Sequence, residues 1–196
     1  MLGRDRHKIT ARYRDSEQKI FQSIRFVLKK YGIYKLSVTR ICQKPFITDT
    51  TFYRHYHGLN DLFRQNQANL LEQLEQFLKS EQTKNLSQQE FITRLLILIY
   101  RNRTFVDILV RMHNIELALI VMSKIRPILT KNWSVYDRTT NQRIYTFFSA
   151  EFITEIALWA VQENFNFNTV ESHAQRLQNF TTTACQRFKH YQKITK

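Results

Sequence analysis

From Thr48 to His55 the chain runs Thr48, Asp49, Thr50, Thr51, Phe52, Tyr53, Arg54 and His55, with short hydroxyls and one carboxylate leading and planar or charged side chains following. Such a set suits the major groove. A threonine methyl meets a thymine methyl, its hydroxyl bonds a base edge or a phosphate, and an aspartate accepts from cytosine N4. A few residues upstream, Ser37, Thr39 and Arg40 offer hydroxyls and a guanidinium at the spacing of one short helix. Together with Thr48, Asp49, Thr50, Thr51, Tyr53, Arg54 and His55 they are the candidate nucleic-acid contacts.

No comparable constellation points to catalysis. The six histidines are His7, His55, His57, His113, His173 and His190, and none stands in a zinc-protease pattern, a nucleophile–base arrangement or a glycine-rich phosphate loop. His113 and Glu116 lie three residues apart, which reads as a surface ion pair rather than a ligand set. Cys42 and Cys185 are far apart and outside any CxxC or Cys/His spacing, so the expectation is free thiols, no structural zinc and no cofactor.

The charge agrees with a polyanion as partner. The 196 residues hold 30 Lys+Arg against 16 Asp+Glu, a net +14. Residues 1–60 take 13 of the cations and 4 of the acids, +9, so most of the excess falls in less than a third of the chain. A compositional boundary near residue 60 follows, with domains expected at 1–60 and 61–196. The basic start lacks a signal peptide's apolar core. The longest uninterrupted apolar runs, such as Leu95–Tyr100, are far short of the ~18–20 residues of a membrane span. A cytoplasmic protein without a membrane partner is expected.

The elements that must position these residues are helices. Ser16 can cap a first helix whose apolar residues Ile20, Ile24, Val27, Leu28 and Tyr31 form one stripe, with Gly32 as its stop. The basic residues ahead of it, Arg4, Arg6, Lys8, Arg12 and Arg14, read either as a phosphate-tracking arm or as a solubilising tail. A short helix over 37–43, a break at Pro45 and a third helix capped by Thr48 and ended by Gly58 give a helix-turn-helix layout. Longer helices are expected from Asn60 or Asp61 to Gln82, over Phe91–Tyr100 behind a Ser87/Glu90 capping box, and over Phe105–Met112. Three more are expected over Ile115–Leu129 with Pro127 bending its end, Asp137–Glu163, and Thr169–Gln192. The class is all-α. The Asp137–Glu163 helix is apolar nearly all round, with Ile144, Phe147, Phe148, Phe152, Ile156 and Trp159, and a homodimer through the last two helices would cover it.

Residues 20–62 resemble the DNA-binding domain of the TetR family of bacterial transcriptional regulators. Thr51-Phe52-Tyr53-Arg54-His55-Tyr56 followed by Leu62 is similar to the family's T-[LF]-Y-x-H-F…L pattern, and Ser37-Val38-Thr39-Arg40-Ile41-Cys42 to its preceding T-x-x-x-I-A. The chain departs at Pro45-Phe46, where the family has Ala-Gly, and at Leu59, where it has a phosphate-touching Lys. The resemblance implies that Tyr53 and His55 hold backbone phosphates. It also implies a homodimer that binds a palindromic operator on double-stranded DNA as a repressor, with a helical domain that senses a small apolar effector. Phe105, Leu109, Met112, Ile120, Phe148 and Phe152 could line that sensor pocket or equally fill a core. The alternative is a coactivator or interaction module with a vestigial helix-turn-helix.

Overall fold

The structure is a computed structural model that describes residues 2–43, 47–80, 86–131 and 138–194. Among these residues it is all-α, with no strand. Nine α-helices follow one another: α1 Leu2–Tyr31, α2 Val38–Cys42, α3 Asp49–His55, α4 Leu59–Lys79, α5 Gln88–Arg101, α6 Arg103–Arg111, α7 Glu116–Lys131, α8 Arg138–Gln162 and α9 Val170–Ile194. The chain forms two compact units. One comprises residues 1–69 with 111–113, the other 70–110 with 114–196, so the division falls inside α4.

In the first unit the expected stripe of α1 is buried: Ile20, Ile24, Val27 and Leu28 are at most 7% exposed. They pack with Ile41 of α2 and Phe52 of α3, both fully buried. Tyr31 departs from the expectation and lies largely exposed at the helix end. Gly32 stops α1 at φ +76, a backbone conformation that costs a residue with a Cβ about 1 kcal/mol or more. Its N–H still reaches the Leu28 carbonyl at 3.0 Å, and a 3-10 turn over Ile33–Lys35 leads into α2. Thr48 caps α3 as expected and Ser37, expected within its helix, caps α2, their hydroxyls accepting from the N–H groups of Thr51 and Arg40 at 3.2 and 3.3 Å.

The start of α1 corrects the sequence reading. Ser16 is no cap, because the helix begins at Leu2 and carries Arg12 and Arg14, exposed, as part of its own length. A polar helix without an apolar stripe leaves no periodic signal in the sequence, and a lone serine before such a stripe looks like a start. The side chains of Arg4, Arg6 and Lys8 lie outside the described ones. So do the Pro45-Phe46 turn, the expected helix end at Gln82, and Asp137.

The second unit is built on α5, α7, α8 and α9, with α9 packed along both α5 and α8. The capping box at the start of α5 is present: Glu90 accepts from the Ser87 N–H at 2.9 Å while Ser87 Oγ accepts from the Glu90 N–H at 3.2 Å. Ile144, Phe148, Phe152, Ile156 and Trp159 of α8 are buried, whereas Phe147, Leu158 and Val161 on the same helix are 54, 39 and 62% exposed. Among the described residues α8 is the one helix long and apolar enough to cross a membrane, with close to half of that stretch buried inside the fold.

The end of α8 is tied down by polar groups. Trp159 donates its indole N–H to the Asn166 carbonyl at 3.0 Å, and the Phe165 N–H returns to the Trp159 carbonyl at 2.9 Å. Both Asn164 and Phe165 adopt positive φ, 49 and 53°. Below them the fully buried His173 of α9 sets its two ring nitrogens 2.8 Å from Glu155 and 3.1 Å from Glu163, and Arg176 closes on Glu155. Thr169 and His173, both bonded to Glu163, hold its carboxyl below the usual range, Thr169 contributing most. A charge buried as deeply as Glu155 is sustained only by such partners.

Candidate nucleic-acid interface

α3 is seven residues long and has one buried side and one open side. Phe52 and His55 face inward, at 0 and 6% exposure, while Thr48, Asp49, Thr50 and Arg54 are exposed and Tyr53 is 54% exposed. Phe52 supports Tyr53 edge-on, with ring centroids 5.6 Å apart and planes at 84°. Thr51 is half-buried, and its hydroxyl lies 2.9 Å from that of Thr48. The N-terminal end of the helix thus presents an ordered polar surface whose side chains are short enough for a backbone to come close.

Two of the predicted groups are engaged inside the unit. Burial first, then hydrogen bonding to the Asp49 side chain and its negative charge, push the Cys42 thiol up to about 12. The carboxylate that was expected to read a cytosine thus stands beside that thiol. His55, expected at a phosphate, is turned inward instead. Its Nε2 lies 2.7 Å from Ser16 Oγ, and its ring sits 3.9 Å from that of Tyr13. Ser16 Oγ also reaches the carbonyls of Arg12 and Tyr13, at 3.0 and 2.9 Å. His55 Nδ1 is buried with no partner. Burial lowers the His55 pKa below its ordinary value of 6.5, with Arg54 also lowering it and Glu17 opposing. Next to it the buried Tyr56 hydroxyl donates to Glu17 at 2.6 Å, and burial raises its pKa.

Around α2, Ser37 and Thr39 are exposed. Arg40 lies with its guanidinium carbon 4.8 Å from the centre of the Tyr31 ring. A shallow groove of about 570 Å³ separates the start of α2 from the start of α4, with Ser37 and Val38 on one side and His57, Gly58 and Leu59 on the other. Asp61 fixes the α4 side: it accepts the His57 N–H at 2.9 Å and side-chain bonds from Arg64 and Gln65, which together hold its carboxyl at about 2. His57 and Asn60, both exposed at this groove, were missed from sequence. The signal available was their place beside Gly58 at the opening of a helix.

The candidate effector residues do not form one set. Phe105, Leu109, Phe148 and Phe152 are buried in the second unit and Ile120 is half-buried there, whereas Met112 is grouped with the first unit. Phe148 and Phe152 lie against one another along α8, tilted by 31° with centroids 6.1 Å apart. Compared with known protein families, curated proteins and solved structures, the chain matches none.

Proposed function

We propose that the chain is a transcriptional regulator of TetR type, a repressor that binds a palindromic operator on duplex DNA as a homodimer. The observation that carries this reading is the open side of α3, where Thr48, Thr50, Tyr53 and Arg54 stand exposed on the first unit. It sits in the 60 residues that hold +9 of the net charge. α3 is the reading helix of a helix-turn-helix, and α2, with Ser37, Thr39 and Arg40, crosses the backbone. The exposed Phe147, Leu158 and Val161 of α8 support pairing with a second copy, which would set two reading helices about 34–36 Å apart on one face of the duplex. The released state would follow from a small apolar effector bound within the second unit.

Selection from a random duplex library tests this directly. The expected result is a palindromic consensus bound with strong salt dependence, and Thr50→Ala and Tyr53→Ala each weaken it about tenfold with little change in stability. Absence of any enriched sequence and of salt-sensitive binding overturns it. A second reading, an adaptor with a vestigial helix-turn-helix, is favoured by the internal engagement of Asp49 and His55 and predicts that Thr50→Ala and Tyr53→Ala leave regulation intact.

A further inference from the structure

Between Gln18 and Thr48 the sequence places seven Lys or Arg and no Asp or Glu. Lys19 is neutralised by Asp15 at 2.6 Å, but Lys29, Lys30, Lys35 and Arg40 have no carboxylate partner among the described residues. Two of them are instead seated on an aromatic ring. The Lys30 ammonium lies 5.2 Å from the Tyr31 ring centre and the Arg40 guanidinium 4.8 Å from the same ring. A ring fixes a cation's position without consuming its N–H groups, so both keep donors free for an anion. Immediately after, the 3-10 turn projects Tyr34 into solvent at 97% exposure. The turn itself is closed by Lys35 N–H to Gly32 O at 3.3 Å and Leu36 N–H to Ile33 O at 3.0 Å.

We propose that this turn, Tyr31–Lys35 with Lys30, is a second contact to duplex DNA, a clamp on the sugar-phosphate backbone. Lys30 and Lys35 neutralise phosphates and the Tyr34 hydroxyl donates to a phosphate oxygen. It rests on the function proposed above and adds residues that the reading helix does not supply. Charge selects the occupant. A second copy of the chain would bring the same cations to the same face and be repelled, and an anionic bilayer would call for a broad Trp- and Leu-rich insertion face, whereas Phe26, Tyr31 and Ile33 are only 38, 41 and 38% exposed and Tyr34, at 97%, ends in a hydroxyl. A phosphate backbone needs only spaced cations and a hydroxyl.

The test uses the full chain, a labelled mixed-sequence duplex and a salt titration, so no operator has to be known. The expected result for Lys30→Gln with Lys35→Gln is a slope of log K against log salt that is shallower by about 1.8, two phosphates at ~0.9 each. Tyr34→Phe and Tyr34→Ala are expected to weaken binding equally, by about tenfold, because the hydroxyl makes the contact. Tyr34 is exposed, so both variants are expected to fold. If the wild-type chain binds the duplex and these variants match it in affinity and slope, the clamp is wrong and the regulator reading survives. If the wild type binds no duplex, both fall. Vesicles of phosphatidylcholine with phosphatidylserine form the second arm, and Tyr34-dependent binding there without loss on DNA overturns the clamp in favour of a membrane.

Discussion

His55 brings one ring nitrogen bonded to Ser16 and one with no partner into the interior of the first unit, and its protonation is a proton-linked cost in that core. Above 6.5 the folded and unfolded chains both hold it neutral, and it contributes no pH dependence. Below 6.5 the unfolded chain takes up a proton that the folded one refuses, so stability is lost as pH falls, by at most ~1.4 kcal/mol per pH unit for one group. Thermal unfolding followed across that range is expected to show this acid limb, and His55→Phe is expected to flatten it while lowering stability at neutral pH through the loss of the buried His55–Ser16 hydrogen bond. An acid limb unchanged in His55→Phe would show that the burial of His55 does not control it. The cap at Thr48 was legible in sequence because a cap depends on three residues of local chain. The inward turn of His55 was not, since its partner lies 39 residues earlier at Ser16, a position that reads as a helix start only when the polar first turns of α1 go unseen.

At the scale of elements, the boundaries that failed are those where polarity hides a helix, and the ones that held are marked by local chemistry: Gly32 at φ +76, the Ser87/Glu90 box, Thr48. α7 is instructive because it runs past Pro127, where a bend near the helix end was expected, as far as Lys131. Proline has no N–H for the Ser123 carbonyl and its ring presses on the preceding turn, at a cost of ~3 kcal/mol in a helix interior. The burial of Ile125 and Leu129 on either side of it is strong enough to carry the helix across. Pro127 is itself exposed, so Pro127→Ala is expected to raise the stability of the second unit by roughly 1–3 kcal/mol in urea unfolding. Stability lower than wild type would mean that the proline sets a bend the packing requires.

At the scale of the molecule, the all-α class was legible because nearly every apolar residue repeats at helical spacing, while the extent of the two units was not. Composition changes near residue 60, but α4 runs unbroken from Leu59 to Lys79 and the units divide within it, since covalent continuity of a helix leaves no compositional trace. The apolar surface of α8 makes the oligomeric state the measurement of most weight. Sedimentation is expected to find a dimer, and Leu158→Glu with Val161→Glu, at 39 and 62% exposure, is expected to give a folded monomer. A wild-type monomer at micromolar concentration overturns the pairing.

Each copy carries +14, so the two associations proposed for it respond to ions in opposite directions. Joining two like-charged chains is resisted by their own field, and added salt screens that resistance; grasping a phosphate backbone gains from counterion release, and added salt removes the gain. Lys29, Lys30, Lys35 and Arg40, without a carboxylate partner among the described residues, sharpen the contrast. Raising ionic strength should therefore dissociate the nucleoprotein complex into intact dimers and free duplex, and a chain purified at low ionic strength should carry nucleic acid with it until the salt is raised.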